Sequence, residues 1–360
     1  MMNIKPALAV AALALAAGCA PSRGPVPSPA RFEATLDSLR VAHRIPGLAV
    51  GVVRDGEVVL ARGFGYADVE ARTPVTENTP FNIASVTKPI SAVVAMRLVE
   101  QGKLDLDRRM TSYADFTEFC ADARGAGGIF FSDFHCDTEP LTMRHVLAMA
   151  MNGRVGERFL YNPSAYSWAS RPMREVTGAS FSTLVEKLVF VPAGMTRSAR
   201  MHRALPLPPE VVADLARPYH ADSAGGFARS PHPSPQGDGA AGGVVSTAAD
   251  LARFDQALDA GLLVSAESRR AMWTAGRSPA GAVLPYGLGW FVGEIGGRRA
   301  VWHTGVWDGA YSALYLKLPD ERLTLILLAN SDGLRWESRL DEAAVERSPF
   351  AALFVRHFAR

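Results

Sequence analysis

The chain predicts a mixed α/β plus all-α unit: an antiparallel sheet of about five strands, flanked by N- and C-terminal helices, with an inserted helical region. Three observations carry this. Strand-like apolar runs cluster near the two ends, at 47–65 and 287–328. Segments of helical period fill the middle. Further helical segments lie outside the strands, at 31–43 and 348–358. The α/β part is expected over about 31–105 and 243–360, and the helical part over about 106–242.

In order along the chain, Phe32, Leu36, Leu39 and Val41 fall near one face of a helix over 31–43. Gly47 to Val53 and Val58 to Gly65 read as strands joined by Arg54-Asp55-Gly56, and Asp-Gly between apolar runs is a hairpin signal. Ser85 to Gln101 reads as a helix with Pro89 in its first turn, where a missing N–H costs little. Thr111 to Glu139 reads as irregular. Helical spacing resumes at 141–151, 167–176 and 181–189. Leu205 to Gly242 reads as a long surface excursion, and Thr247 to Leu258 as a helix capped by Ser246. Strands are expected at 287–295, 299–303, 311–318 and 323–328, with Pro319-Asp320 as a turn.

The first 30 residues stand apart. Lys5 precedes the apolar run Ala7 to Ala17, which is too short to span a bilayer and is followed by Gly18 and Cys19. Residues 1–19 are therefore expected to be a secretory leader. Its ending resembles a lipoprotein signal, in which Cys19 would carry the lipid; an ordinary leader with Cys19 left free is the other reading. Residues 20–30, rich in Pro and Ser, suit a tether. The expected protein is thus exported and periplasmic, anchored to a membrane only at its start. In that compartment Cys120 and Cys136, which bracket a short loop, are expected to form a disulfide; two buried free thiols are the other reading. His135 beside Cys136 has no second close-spaced pair of ligands, so no metal site is expected. The net charge is +2 without a long basic run, which gives no footprint for nucleic acid.

Chemistry concentrates in three places. The first is Ser85-Val86-Thr87-Lys88. A serine hydroxyl needs a base within hydrogen-bond reach. Residues three apart share a helix face, and burial can make a lysine neutral enough to accept a proton. Only five lysines occur in the chain, at 5, 88, 103, 187 and 317. Ser-x-x-Lys alone is a weak motif, and a surface lysine near a helix start produces it too. The second is Tyr161-Asn162-Pro163, on a loop between helices, where a tyrosine beside a lysine could move a proton or could equally be a core residue. The third is His303-Thr304-Gly305 at a strand end, where glycine permits close approach; His303 by itself could be structural.

Together, and with the segments Phe81 to Asp107, Leu141 to Ala148, Gly242 to Phe254 and Tyr286 to Trp290, these elements resemble serine β-lactamases of the class C type. Penicillin-binding proteins, D,D-carboxypeptidases, D-aminopeptidases and serine esterases belong to the same wide family. The resemblance implies Ser85 as nucleophile, Lys88 as its proton partner and Tyr161 as acid and base. It puts His303 in place of the usual lysine of the third motif, with Thr304 and Gly305 lining the substrate. The N–H groups of Ser85 and Val306 would form an oxyanion hole. No cofactor and no metal is implied.

Two departures bear on substrate. Pro163 stands where class C enzymes have the asparagine of Tyr-x-Asn, and proline offers no side-chain hydrogen bond. His303 is a poorer partner for a carboxylate than a fixed ammonium. The expected function is an exported serine hydrolase acting through a Ser85 acyl-enzyme on an ester, a D-amino-acid amide or a β-lactam, with β-lactams disfavoured. The alternative is a weakly catalytic cleft that binds or senses peptidoglycan fragments. Within the unfamiliar 111–139 segment, Arg124 is a candidate replacement contact for substrate.

Overall fold

In the computed structural model, which describes residues 29–137, 140–203, 206–234, 237–335 and 344–359, the first hairpin forms as its turn residues require. Strands β1 (Gly47–Arg54) and β2 (Glu57–Asp68) are joined through Asp55 and Gly56, at φ 52° and 83°. Consecutive left-handed residues match the twist of a tight hairpin. A short β3 (Thr73–Pro74) pairs with β2. The remaining strands come from the far end of the chain: β4 (Phe291–Ile295), β5 (Arg298–Trp307), β6 (Tyr311–Leu318) and β7 (Leu323–Ala329). The sheet is antiparallel throughout, in the order β4-β5-β6-β7-β1-β2-β3. The expected strands are all present, and β3 is an addition. The two ends of the chain meet where β1 pairs with β7, Leu48 opposite Ala329 and Arg54 opposite Leu323.

Strands β6 and β7 are buried along their whole length, which requires cover on both faces of the sheet. One cover is the pair α1 (Pro29–Ala42) and α5 (Pro349–Phe358), which touch through Phe32 and Phe358 with ring centroids 4.8 Å apart. The other includes α2 (Thr87–Glu100) and α4 (Ala248–Asp259). Helix α4 lies over Gly51, where a Cβ would meet Ala248 O at 3.4 Å. Helix α2 is apolar nearly all round, as a helix in the middle of a core must be.

Several expectations change. The 111–139 segment is not irregular throughout: Phe116–Ala126 forms helix α3. Its buried Phe116, Cys120 and Ala123 recur three and four residues apart, a signal hidden among Gly and Asp neighbours. The helix expected over 141–151 shortens to Met143–Leu147. The 205–242 stretch holds a helical turn, Pro209–Asp214, and a hairpin, Tyr219–Ala221 with Phe227–Arg229. Tyr219, Ala216 and Ala240 there are fully buried, so it is more than a surface excursion. Thr247, not Ser246, caps α4: its side chain accepts from Asp250 N, while Ser246 ends the strand Val244–Ser246. Helix α1 begins at Pro29, inside the expected tether. The expected leader and Cys19 lie outside the described residues, among which no helix is long and apolar enough to cross a membrane.

Candidate active site

Ser85 lies in a short 3-10 turn, Ala84–Val86, that leads directly into α2, rather than in the helix itself. Ala84 adopts φ 46°, a costly backbone for a residue with a Cβ. The turn is pinned by Asn82, whose side chain accepts from Ala84 N at 2.9 Å, and by Val86 N donating to Ile83 O at 3.0 Å. Since turn and helix are continuous, Lys88 still comes round beside Ser85, and its Nζ lies 2.8 Å from Ser85 Oγ.

The environment of Lys88 decides its protonation. It is fully buried; it donates to Ala241 O at 2.9 Å, and no carboxylate pairs with it among the described residues. Lys317 offers a comparison inside the same protein. It is equally buried, yet Asp255 at 3.0 Å and Asp259 at 2.8 Å hold it. Burying an ammonium without such partners favours the neutral amine, and burial pushes Lys88 well below its ordinary value. The rings of Tyr161 and Tyr166 lie 5.1 and 5.6 Å from Nζ and complete its enclosure.

Burial pushes the Tyr161 phenol upward, and the neighbouring Ser85 hydroxyl opposes this. Burial therefore favours the phenol form of Tyr161 and the neutral amine form of Lys88. Lys88 is then the better resting base, and Tyr161 is placed to pass a proton. The neighbouring Asn162 points away from the nucleophile. Its side chain accepts from Ala165 N at 2.9 Å and donates to Phe130 O at 2.7 Å and Asn152 Oδ1 at 3.1 Å. Asn162 is the N-cap and Pro163 the first residue of the helix Pro163–Ser167. Proline suits that first position, which explains its presence in the motif.

His303 to Trp307 form the part of β5 that extends beyond β4 and pairs with β6 alone. Here the chain meets the nucleophile turn. A Cβ on Gly305 would fall 2.1 Å from Ile83 O and 3.1 Å from Ser85 N, so only glycine allows β5 to come this close. Val306, half-buried, is the next residue on this strand, and Thr304 is half-buried before it. His303 is fully buried. Its Nδ1 donates to Thr304 O at 2.6 Å, which leaves Nε2 to accept from Tyr286 OH at 2.8 Å. Burial, then the neighbouring Lys88, push the imidazole well below its usual value, while the Thr304 carbonyl opposes this. His303 is thus a neutral ring set among Tyr161, Tyr286 and Phe291.

The three motifs named from sequence therefore converge on Ser85. Three contributors had no individual role assigned: Tyr286, whose hydroxyl donates to His303 Nε2 at 2.8 Å; Tyr166, whose hydroxyl donates to Lys88 O at 3.2 Å; and the Ala241 carbonyl. Tyr286 and Ala241 lie in or beside segments that carry the family resemblance, which was the available signal. Arg124 pairs with Asp137 at 2.5 Å, with its side chain about half exposed. Cys120 and Cys136 are joined, their Cα atoms 5.8 Å apart, and tie α3 to the loop that follows it. The only cluster of possible metal ligands found among the described residues consists of these two cysteines and Asp137.

Comparison with known proteins agrees with this geometry. Residues 32–347 match the family described as Beta-lactamase, and the chain belongs to that family. Penicillin-binding protein 4* of Bacillus subtilis (strain 168) is 26% identical, covering 84% of this chain and 71% of the relative. A D-aminopeptidase of Brucella anthropi is also 26% identical, but the chain spans only 59% of its length. Among solved structures, the penicillin-binding protein homologue from Pyrococcus abyssi superposes with TM-score 0.72 at 23% identity, covering 91% of this chain and 77% of that one. The D-amino acid amidase from Ochrobactrum anthropi SV3, in its complex with L-phenylalanine, gives 0.69 at 21%, covering 90% and 98%. These likenesses establish the β-lactamase/transpeptidase-like fold, and family membership together with the relatives supports a serine hydrolase.

Proposed function

We propose that the chain is an exported serine hydrolase that acts through a Ser85 acyl-enzyme on small esters or D-amino-acid amides. One observation carries the reading: Lys88, buried and without a carboxylate partner among the described residues, lies 2.8 Å from Ser85 Oγ. Ser85 Oγ attacks the substrate carbonyl carbon as its proton passes to Lys88 Nζ. The developing oxyanion is assigned to the N–H groups of Ser85 and Val306. As the bond to the leaving oxygen or nitrogen breaks, Tyr161 relays the proton to it. Water then attacks the acyl-enzyme by the reverse proton path and releases the acid. The organised base argues against a cleft that only binds peptidoglycan fragments.

Substrate class follows from what the site lacks. A neutral His303 with both nitrogens engaged offers no charge to a ring carboxylate, and Pro163 offers nothing to an amide side chain. Losing one neutral contact at about 0.5–1.5 kcal/mol and one charge-assisted contact at about 1.5–3 kcal/mol lowers β-lactam efficiency by orders of magnitude. A fluorescent phosphonate should label the protein but not Ser85→Ala. On one preparation, kcat/KM for p-nitrophenyl butyrate should exceed that for nitrocefin. Equal labelling of both proteins would remove Ser85 as nucleophile, and preference for nitrocefin would make the protein a β-lactamase.

A further inference from the structure

Asn152 is fully buried, and its amide joins the disulfide-closed segment after α3 to the loop that carries Tyr161. Its Nδ2 donates to Phe130 O at 2.9 Å and to Asp133 Oδ1 at 2.8 Å, and its Oδ1 accepts from Asn162 Nδ2 at 3.1 Å. The next residue adds to the joint: Gly153 N donates to Asp133 O at 2.7 Å. Arg158 pairs with the other Asp133 oxygen. The segment 130–133 is therefore docked on the turn 149–153, and the bond between Cys120 and Cys136 fixes its far end to α3.

The same turn grips the residues on both sides of Tyr161. Leu160 N donates to Met149 O at 3.0 Å, and Asn162 N donates to Met149 Sδ at 3.3 Å. Met149 adopts φ 55°, a backbone that a residue with a Cβ takes at a cost. Asn162 Nδ2 also donates to Phe130 O at 2.7 Å, so Asn152, Asn162 and the Phe130 carbonyl close a ring of hydrogen bonds. A satisfied buried network of this kind rigidifies what it joins. Position matters for proton transfer, since a misplacement of about 1 Å can cost about a hundredfold in rate.

We infer that Asn152 is a positioning residue for the proton relay, which sets Tyr161 by bracing its loop against the segment that Cys120 and Cys136 close. The inference rests on the role given above to Tyr161. In that step the carbon–oxygen bond breaks, and the leaving oxygen keeps the electron pair. It takes a proton from Tyr161, and Tyr161 recovers one from the Lys88 ammonium that the attack of Ser85 created. A p-nitrophenolate leaves without a proton, whereas a methoxide needs one. Loss of Asn152 is therefore felt by the methyl ester and far less by the p-nitrophenyl ester. A purely structural role would lower both together.

The test is kcat/KM, which reports acylation, for methyl butyrate and p-nitrophenyl butyrate. The proteins are the parent, Asn152→Ala, Cys120→Ser/Cys136→Ser and Leu36→Ala, a core truncation in α1. In Asn152→Ala the methyl ester should lose at least about tenfold more than the p-nitrophenyl ester, a part of the about 10²–10⁴-fold that a positioned acid supplies. The cysteine variant should show the same split to a lesser degree, and it carries the test if Asn152→Ala does not fold. Leu36→Ala should melt lower, with the two esters falling together. Equal losses on both esters in either of the first two variants, or a split in Leu36→Ala, would overturn the inference. So would a parent active on the p-nitrophenyl ester alone, because no relay to the leaving oxygen would then operate. A parent that hydrolyses neither ester would remove the serine-hydrolase reading itself, and the inference with it.

Discussion

The Tyr286 hydroxyl donates to Nε2 of His303 across 2.8 Å, so the residue in the position of the third motif's lysine is a neutral ring locked in one tautomer. Its folded proton affinity is depressed below the ordinary value of 6.5. Below pH 6.5 the unfolded chain therefore takes up the proton first, and stability falls with pH through the window between 6.5 and the lower folded value. The melting temperature should drop on acidification in that window, less steeply in His303→Gln. Tyr286→Phe should cost about 1–3 kcal/mol by leaving Nε2 unpartnered.

Lys88 has the same sign of linkage at higher pH. Its folded value lies well below 10.5, so below 10.5 the unfolded state binds the extra proton and stability rises with pH towards that value. Lys88→Met should abolish phosphonate labelling. It should also be more stable than the parent at neutral pH, with the gap narrowing as pH approaches 10.5. Chemical denaturation across a pH series measures this, and a gap that widened with pH would contradict a neutral Lys88.

Asn162 supports the Tyr161 loop without touching the nucleophile. Asn162→Ala removes a helix cap and the tie to Phe130 O, for a cost of about 2 kcal/mol. Esterase kcat should fall with little change in KM, since Tyr161 is displaced while the substrate-lining strand stays. Asn162→Asp keeps the acceptor for Ala165 N and should recover part of the stability in urea unfolding.

The bond between Cys120 and Cys136 closes a loop whose length predicts about 3 kcal/mol of stabilisation. The Cys120→Ser/Cys136→Ser protein should show a lower urea midpoint. A loss well under 1 kcal/mol would mean that the aromatic packing of Phe119 on Trp168 and Phe134 holds this segment by itself.

Much of this site could be read in the sequence because its chemistry is local. Ser85 and Lys88 are one turn apart, and Gly305 declares a close approach wherever it falls. What escaped was long-range or masked by composition. The Ala241 carbonyl carries no side-chain signal at all. The role of Tyr286 depends on pairing with a residue on another strand. The capping role of Asn162 depends on a helix too short to show a period, and the period of α3 was obscured by glycine and acidic neighbours. Strand boundaries were clearest in β1, β6 and β7, whose continuous burial leaves an unbroken apolar run; in β5 the expected strand stopped at His303, because Thr304 and Gly305 resemble a turn, although the strand continues to Trp307.

The pairing of β1 with β7 also sets the order in which the molecule can be made. Leu48 finds its partner only when Ala329 has left the ribosome, and Ser85 meets Gly305 at nearly the same late moment. Contacts this distant in sequence slow folding and leave apolar strands uncovered meanwhile. The nascent chain therefore stays unable to complete its sheet, and so catalytically silent, until β7 has been made.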